Sequence, residues 1–179
     1  MKHVKLIIFD VDGTLTDGGI YFGPDGEEHK RFNILDGLGF RLAESAGLRV
    51  AIISGRDSKS TAARMKALGV TESLQGVDNK LAAVNGLREK YGLSLDEVAF
   101  VGDDINDLPA FDGVSVRIAV QNASQHVKAR ATYVTTATGG NGAAREAIEA
   151  ILAAQGRLNS AVEAFLDMLQ GSHGIVTKQ

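Results

Sequence analysis

Lys5-Leu6-Ile7-Ile8-Phe9 runs directly into Asp10-Val11-Asp12-Gly13-Thr14-Leu15-Thr16-Asp17-Gly18. An unbroken apolar run of this length reads as a strand buried on both faces of a parallel sheet. Where the strand must end, two carboxylates follow at a spacing of two. That period points both side chains the same way, toward the crevice in which open α/β sheets hold ligands. Two like charges placed there cost free energy unless a cation or a reaction uses them. The bland alternative is a polar strand end with Asp12-Gly13 as an ordinary turn.

Working outward, four predicted helices each stop at a glycine, which serves as the left-handed C-terminal residue. They cover residues 36–46 before Gly47, 58–68 before Gly69, 79–91 before Gly92 and 142–155 before Gly156. Strands fit between them at 49–53, 97–101, 114–119 and 132–134, with a shorter helix at 105–111 and a further short strand between Arg56 and Asp78. Alternating elements of these lengths specify right-handed βαβ units, hence a Rossmann-like, doubly wound α/β fold around a parallel sheet. The 179 residues fit a single domain, 1–179. One stretch breaks the alternation. Within residues 17–33, Gly23-Pro24-Asp25-Gly26 is a turn signal between Gly19–Phe22 and a charged second arm, so a β-hairpin flap is inserted directly after the acidic loop. An isolated hairpin is marginal in water, so its own domain or a neighbouring subunit must cover it.

Composition narrows the class. Hydrophobic content of 44% and charged content of 23% are those of an ordinary globular protein, and a net charge of -3 offers no electrostatic footprint for nucleic acid or an anionic membrane. No apolar run approaches a membrane span and no signal-peptide core opens the chain, so a cytoplasmic location is expected. There is no cysteine, which removes disulfides and thiolate metal sites. The histidines, at 3, 29, 126 and 173, show no spacing suggestive of a site.

Three further segments fall at strand ends on the edge that carries Asp10. Ser54-Gly55-Arg56 offers a hydroxyl and a glycine amide next to a helix N-terminus, a natural phosphate seat. Asp78-Asn79-Lys80 opens the third long helix, with Asp78 as its expected N-cap. A lysine in a first turn opposes the helix dipole, which calls for a local anion. Gly102-Asp103-Asp104-Ile105-Asn106-Asp107 places three acids in five residues after a buried strand. With Asp10 and Asp12 these can assemble an all-oxygen site for a hard cation such as Mg²⁺.

These four pieces, in this order, resemble the haloacid dehalogenase superfamily of phosphatases. The resemblance makes Asp10 the nucleophile and Asp12 the general acid, then base. It assigns Mg²⁺ to Asp10, the carbonyl of Asp12 and Asp103, with Asp107 as an outer acid, and gives Ser54, Gly55 and Lys80 the phosphoryl oxygens. Thr14 is expected to fix the geometry of Asp12. Only residues 16–32 intervene before the next helix, which leaves no room for a cap domain, so the chain resembles the capless subfamily, whose members cover the site with neighbouring subunits. Within it, Asp10–Phe22, Phe32-Asn33, Asp36-Gly37-Leu38-Gly39, Ser54-Gly55-Arg56, Gly102–Asp107, Gly139-Gly140-Asn141-Gly142 and Ala154-Gln155-Gly156 resemble the phosphatases of 3-deoxy-D-manno-octulosonate 8-phosphate. That likeness implies hydrolysis of a small acid sugar phosphate and a homotetramer in which the hairpins pack together. Arg56 suits a substrate carboxylate, because a guanidinium pairs with it bidentately. Arg64, on the following helix, is a second candidate, with a solvated helix arginine as its alternative. Asn141 departs from the arginine usual at that position. Phosphatases of sialic-type sugar 9-phosphates, a broad phosphomonoesterase and an inactive tetrameric scaffold are the competing readings. Leu158, Val162, Phe165, Leu166 and Leu169 recur at helical spacing, and the C-terminal region 157–179 is expected as a helix and then a tail, 172–179, that reaches a neighbouring site.

Overall fold

The computed structural model describes residues 1–172. Six strands, β1 (Leu6–Phe9), β4 (Arg49–Ile53), β5 (Glu72–Leu74), β6 (Val98–Gly102), β7 (Val116–Ala119) and β8 (Tyr133–Val134), form a parallel sheet in the order β5-β4-β1-β6-β7-β8. β2 (Tyr21–Phe22) and β3 (Glu28–His29) form the separate antiparallel hairpin. The long helices are α1 (Ile34–Ser45), α2 (Lys59–Leu68), α3 (Lys80–Tyr91), α6 (Ala143–Ala154) and α7 (Leu158–Ser172), with short α4 (Leu108–Phe111) and α5 (Gln125–Lys128). The sequence-based elements are present, and the fold is the expected doubly wound sheet with a hairpin and no inserted cap.

Strand order locates the crevice. The chain moves outward from β1 to β4 to β5, then returns to the opposite side of β1 as β6. Right-handed crossovers therefore reverse direction at β1 and β6, and ligand sites form where that reversal opens the sheet edge. β1 and β6 are buried along their whole length, consistent with their runs of Leu, Ile, Val and Phe. Phe9 stacks on Phe40 of α1 at 5.1 Å between ring centroids, and Phe100 meets Phe111 edge-on at 6.2 Å. α6 contributes Ala143, Ala144, Ala147, Ile148, Ile151 and Leu152 to the core, a stripe at helical spacing.

Several local details differ from expectation. The residue capping α3 is Asn79, whose side chain accepts from Ala82 N at 3.0 Å, rather than Asp78. The segment 105–111 is a single 3₁₀ turn, Ile105–Asp107, followed by α4, because Asp104 and Asp107 form a capping box that tightens the first turn. α5 carried no signal that separated four helical residues from a loop. The hairpin ladder is only two residues per arm, closed at its base by a bridge between Thr16 and Phe32. α7 buries Ala161 and packs Leu158 and Phe165 on the core, while Val162, Leu166 and Leu169 remain at the surface of the isolated chain. Of the expected tail, 172–179, Ser172 instead ends α7, and the rest lies outside the described residues.

Candidate active site

β1 ends at Phe9, and Asp10 follows with its amide still bonded to Val101 O of β6 at 2.9 Å. Its carboxylate is buried at the reversal point. Lys80, the first residue of α3, donates through Nζ to Asp10 Oδ1 at 2.5 Å and to Asp107 Oδ1 at 2.6 Å, and only 3% of its side chain is exposed. An ammonium at a helix N-terminus is doubly disfavoured, by the dipole and by burial, and these two carboxylates are what hold it there. Burial works against its charge, yet Asp10 and Asp107 together raise its pKa above the ordinary lysine value.

Asp107 also ties down its own loop. Its Oδ2 accepts from the amides of Asp103 at 2.9 Å and Asp104 at 3.3 Å. Asp10, Asp103 and Asp107 offer oxygen atoms all within 4.8 Å of one another. Burial, and then the charge of Asp107, push the Asp10 carboxyl well above its usual range and Asp103 up to about 7. Three carboxylates against one ammonium leave excess negative charge, and their hard oxygen donors suit a hard dication such as Mg²⁺. Gly13 has φ +89°, and a Cβ there would overlap the Asp103 carboxylate, so only glycine fits this approach.

The expected site residues fall into three groups. Asp10, Asp103, Asp107, Lys80 and Thr14 converge. Thr14 Oγ1 donates to Asp103 Oδ1 at 3.0 Å, so it fixes Asp103 rather than Asp12. Ser54 and Gly55 follow β4, the neighbour of β1, where Ser54 Oγ accepts from Arg56 N at 3.2 Å and shapes the turn. Arg56 is half exposed and its guanidinium is bound by Glu28 of the hairpin. Arg64 points from α2 to the start of α1, where it donates to Asn33 O at 3.1 Å and lies against Gly37; a helical position eight residues beyond Arg56 did not encode that direction.

Two charged residues escaped the sequence reading. Lys30, just past β3, places Nζ 2.6 Å from Asp12 Oδ1 and 3.6 Å from Glu28 Oε1. The signal was available in the period of two that sets Glu28 and Lys30 on one face of the arm, but a two-residue strand gives that period little weight. On the other face, Arg31 reaches Asp17, Gly140 O and the side chain of Asn141, which places a guanidinium beside the position where the chain has Asn.

A haloacid dehalogenase-like hydrolase family profile matches residues 72–146. The 3-deoxy-D-manno-octulosonate 8-phosphate phosphatase of Escherichia coli K12 is 45% identical over 160 residues, covering 89% of this chain and 85% of its own. The chain belongs to this phosphatase family. A crystal structure of the Moraxella catarrhalis phosphatase of that name, in complex with magnesium ion, phosphate ion and KDO, superposes with a TM-score of 0.87 at 43% identity, covering 92% of this chain and 94% of that one. A probable YrbI family phosphatase of Pseudomonas syringae gives 0.88 at 45% identity over the same shares. Membership bears out the fold, the phosphatase class and the resemblance stated from the sequence. Among the described residues no helix is long and apolar enough to cross a membrane.

Proposed function

We propose that this chain is a Mg²⁺-dependent phosphatase that hydrolyses 3-deoxy-D-manno-octulosonate 8-phosphate to the free acid sugar and phosphate. The observation that carries the reading is the buried cluster of Asp10, Lys80, Asp103 and Asp107 at the β1–β6 reversal, with Asp12 two residues beyond the nucleophile position. Asp10 attacks phosphorus, and the bond from phosphorus to the sugar oxygen breaks as an aspartyl-phosphate forms. Asp12 gives a proton to the departing oxygen. It then removes a proton from the water that attacks the aspartyl-phosphate, which releases phosphate and restores Asp10.

Lys80 holds one oxygen of Asp10, which leaves the other to approach phosphorus. Ser54 and the amide of Gly55, an exposed residue, receive phosphoryl oxygens at the end of β4. Mg²⁺, held by Asp10, the carbonyl of Asp12 and Asp103, supplies positive charge that offsets repulsion between a carboxylate and a phosphate dianion. Arg56 faces the substrate carboxylate at the price of its contact with Glu28. Ile20 and Phe22 stand exposed on one face of the hairpin, Phe22 by 70%, and this apolar face supports a homotetramer built through the hairpins.

The test is turnover by Asp10→Asn protein with the acid sugar phosphate and Mg²⁺. An amide cannot form the acyl phosphate, so the variant is expected to fold and to show no turnover. Wild-type rates from pure Asp10→Asn protein refute the assignment.

A further inference from the structure

The second arm of the hairpin carries a charge that the proposed reaction does not use. The Lys30 side chain is completely buried, whereas 27% of the Asp12 side chain it touches is exposed. The carboxylate therefore keeps a face open to solvent while its Oδ1 is held by the hairpin. Nζ lies between Asp12 and Glu28 but has no acceptor in good hydrogen-bond geometry, and Glu28 Oε1 has no donor. A lysine that only balanced surface charge could do so from solvent, where pairing costs little and is worth little. Burying the ammonium is expensive, and an oppositely charged group within reach is what offsets it.

The arm that delivers Lys30 is pinned on three sides. The Thr16–Phe32 bridge closes its base. Glu28 binds Arg56 through its side chain, and its carbonyl accepts from Ser60 Oγ of α2 at 2.9 Å. Arg31 on the opposite face is bound to Gly140 O and Asn141. The ammonium is thus placed by the whole hairpin, with the few freedoms of its own side chain removed.

We propose that Lys30 is a positioning residue for Asp12, holding Oδ1 so that Oδ2 faces the oxygen whose proton is transferred. The inference rests on the reading of Asp12 as the proton-transfer carboxylate. It makes the hairpin part of the machinery of its own subunit, in addition to any packing it provides. Proton transfer by a well-placed group is worth about 10²- to 10⁴-fold, and the oriented fraction of Asp12 is what Lys30 supplies.

The experiment uses full-length Mg²⁺-loaded enzyme and two substrates. One is 3-deoxy-D-manno-octulosonate 8-phosphate, whose alkoxide needs a proton to leave. The other is p-nitrophenyl phosphate, whose phenolate leaves without one. For Lys30→Met, kcat on the sugar phosphate should fall about ten- to a hundredfold with KM changed less than about threefold. The first-turnover burst of nitrophenolate should stay within about threefold of wild type, while the following steady phase slows, because water attack on the aspartyl-phosphate still needs Asp12. Adding Lys30→Met to Asp12→Asn should cause no further loss. Equal losses in burst and steady phase, or no loss on the sugar phosphate, overturn the proposal. So does a gain in kcat, which shows that Lys30 restrains Asp12 away from its work. If Lys30→Met fails to fold, Lys30→Arg decides, since it keeps the charge and should keep kcat within about fivefold. A folded Lys30→Arg enzyme that loses as much in the nitrophenolate burst as in the steady phase also overturns it. Asp12→Asn alone separates the two readings: if it turns over the sugar phosphate normally, the role of Asp12 falls, whereas an inactive Asp12→Asn beside an unaffected Lys30→Met sinks only the role of Lys30.

Discussion

Replacing Lys80 by methionine removes one charge and little volume from the centre of the site, so its effect is electrostatic. The ammonium sits between Asp10 and Asp107 with 3% of its side chain exposed, and without it one more carboxylate is left unbalanced in the interior. The folded protein can escape that repulsion by binding a proton, and this sets a ceiling on the loss. Holding an aspartate protonated costs more with each pH unit above its ordinary value of 3.8, roughly 4 kcal/mol at pH 7 and roughly 2 at pH 5. The neutral-pH figure agrees with the 3–5 kcal/mol, roughly, that follows from removing one partner of a buried ion pair. The sign follows from proton counting. In the variant the folded state holds a proton that the unfolded chain has released, so stability falls as pH rises through 5 to 7. Urea unfolding of wild type and Lys80→Met in EDTA at both pH values measures the difference, and Mg²⁺ should recover much of it by replacing the lost positive charge. A variant that unfolds at the wild-type urea concentration at both pH values refutes the claim that Lys80 neutralises this cluster.

Arg56→Ala should lower kcat/KM about ten- to a hundredfold on the acid sugar phosphate and less than about threefold on a neutral phosphomonoester, as expected for one charge-assisted pair. Equal losses would assign Arg56 to holding Glu28 and the hairpin. Because burial and Asp107 raise Asp103 to about 7, this carboxyl binds a proton below that pH in the metal-free protein, and Mg²⁺ must displace it. Calorimetric titration should show Mg²⁺ affinity weakening as pH falls from about 8 to 6, with proton release on binding; a flat profile contradicts the shift. Gly13→Ala places a Cβ on Asp103 at a φ of +89°, so it should destabilise the fold by about 1–3 kcal/mol in urea and weaken Mg²⁺ binding together. Loss of stability with unchanged Mg²⁺ affinity would show that Asp103 simply moves aside.

Much of the architecture was legible because the chain states it in long periods. Continuous apolar runs at 6–9 and 98–101 read as strands buried on both faces, and Gly47, Gly69, Gly92 and Gly156 end helices with φ between 61° and 73°. The acids at 10, 103 and 107 were legible because they break such runs at the same edge. What escaped depends on direction rather than position. Thr14 could turn to Asp12 or to Asp103, and the choice is made by β6 packing beside β1. Arg64 is aimed by α1, an element that its own helix pattern does not mention. Lys30 looked like one solvated charge in a charged arm, and its burial arises only when the hairpin folds back over the loop.

The shape of the loop carrying Asp10 and Asp12 is imposed from far along the chain. Asn122 Nδ2 donates to Gly13 O at 3.0 Å and its Oδ1 accepts from Gly139 N at 2.6 Å, while Gly140 N donates to Thr14 O at 3.2 Å. A Cβ on Gly139 would overlap the Gly13 carbonyl, so the two backbones are moulded on each other. During synthesis the reactive carboxylates therefore emerge first and acquire their working geometry last, after a segment more than a hundred positions later has left the ribosome. A chain that stops short of Gly139 carries the acids at 10, 12, 103 and 107 without this mould, and a correctly shaped loop becomes a report that synthesis has passed Gly140.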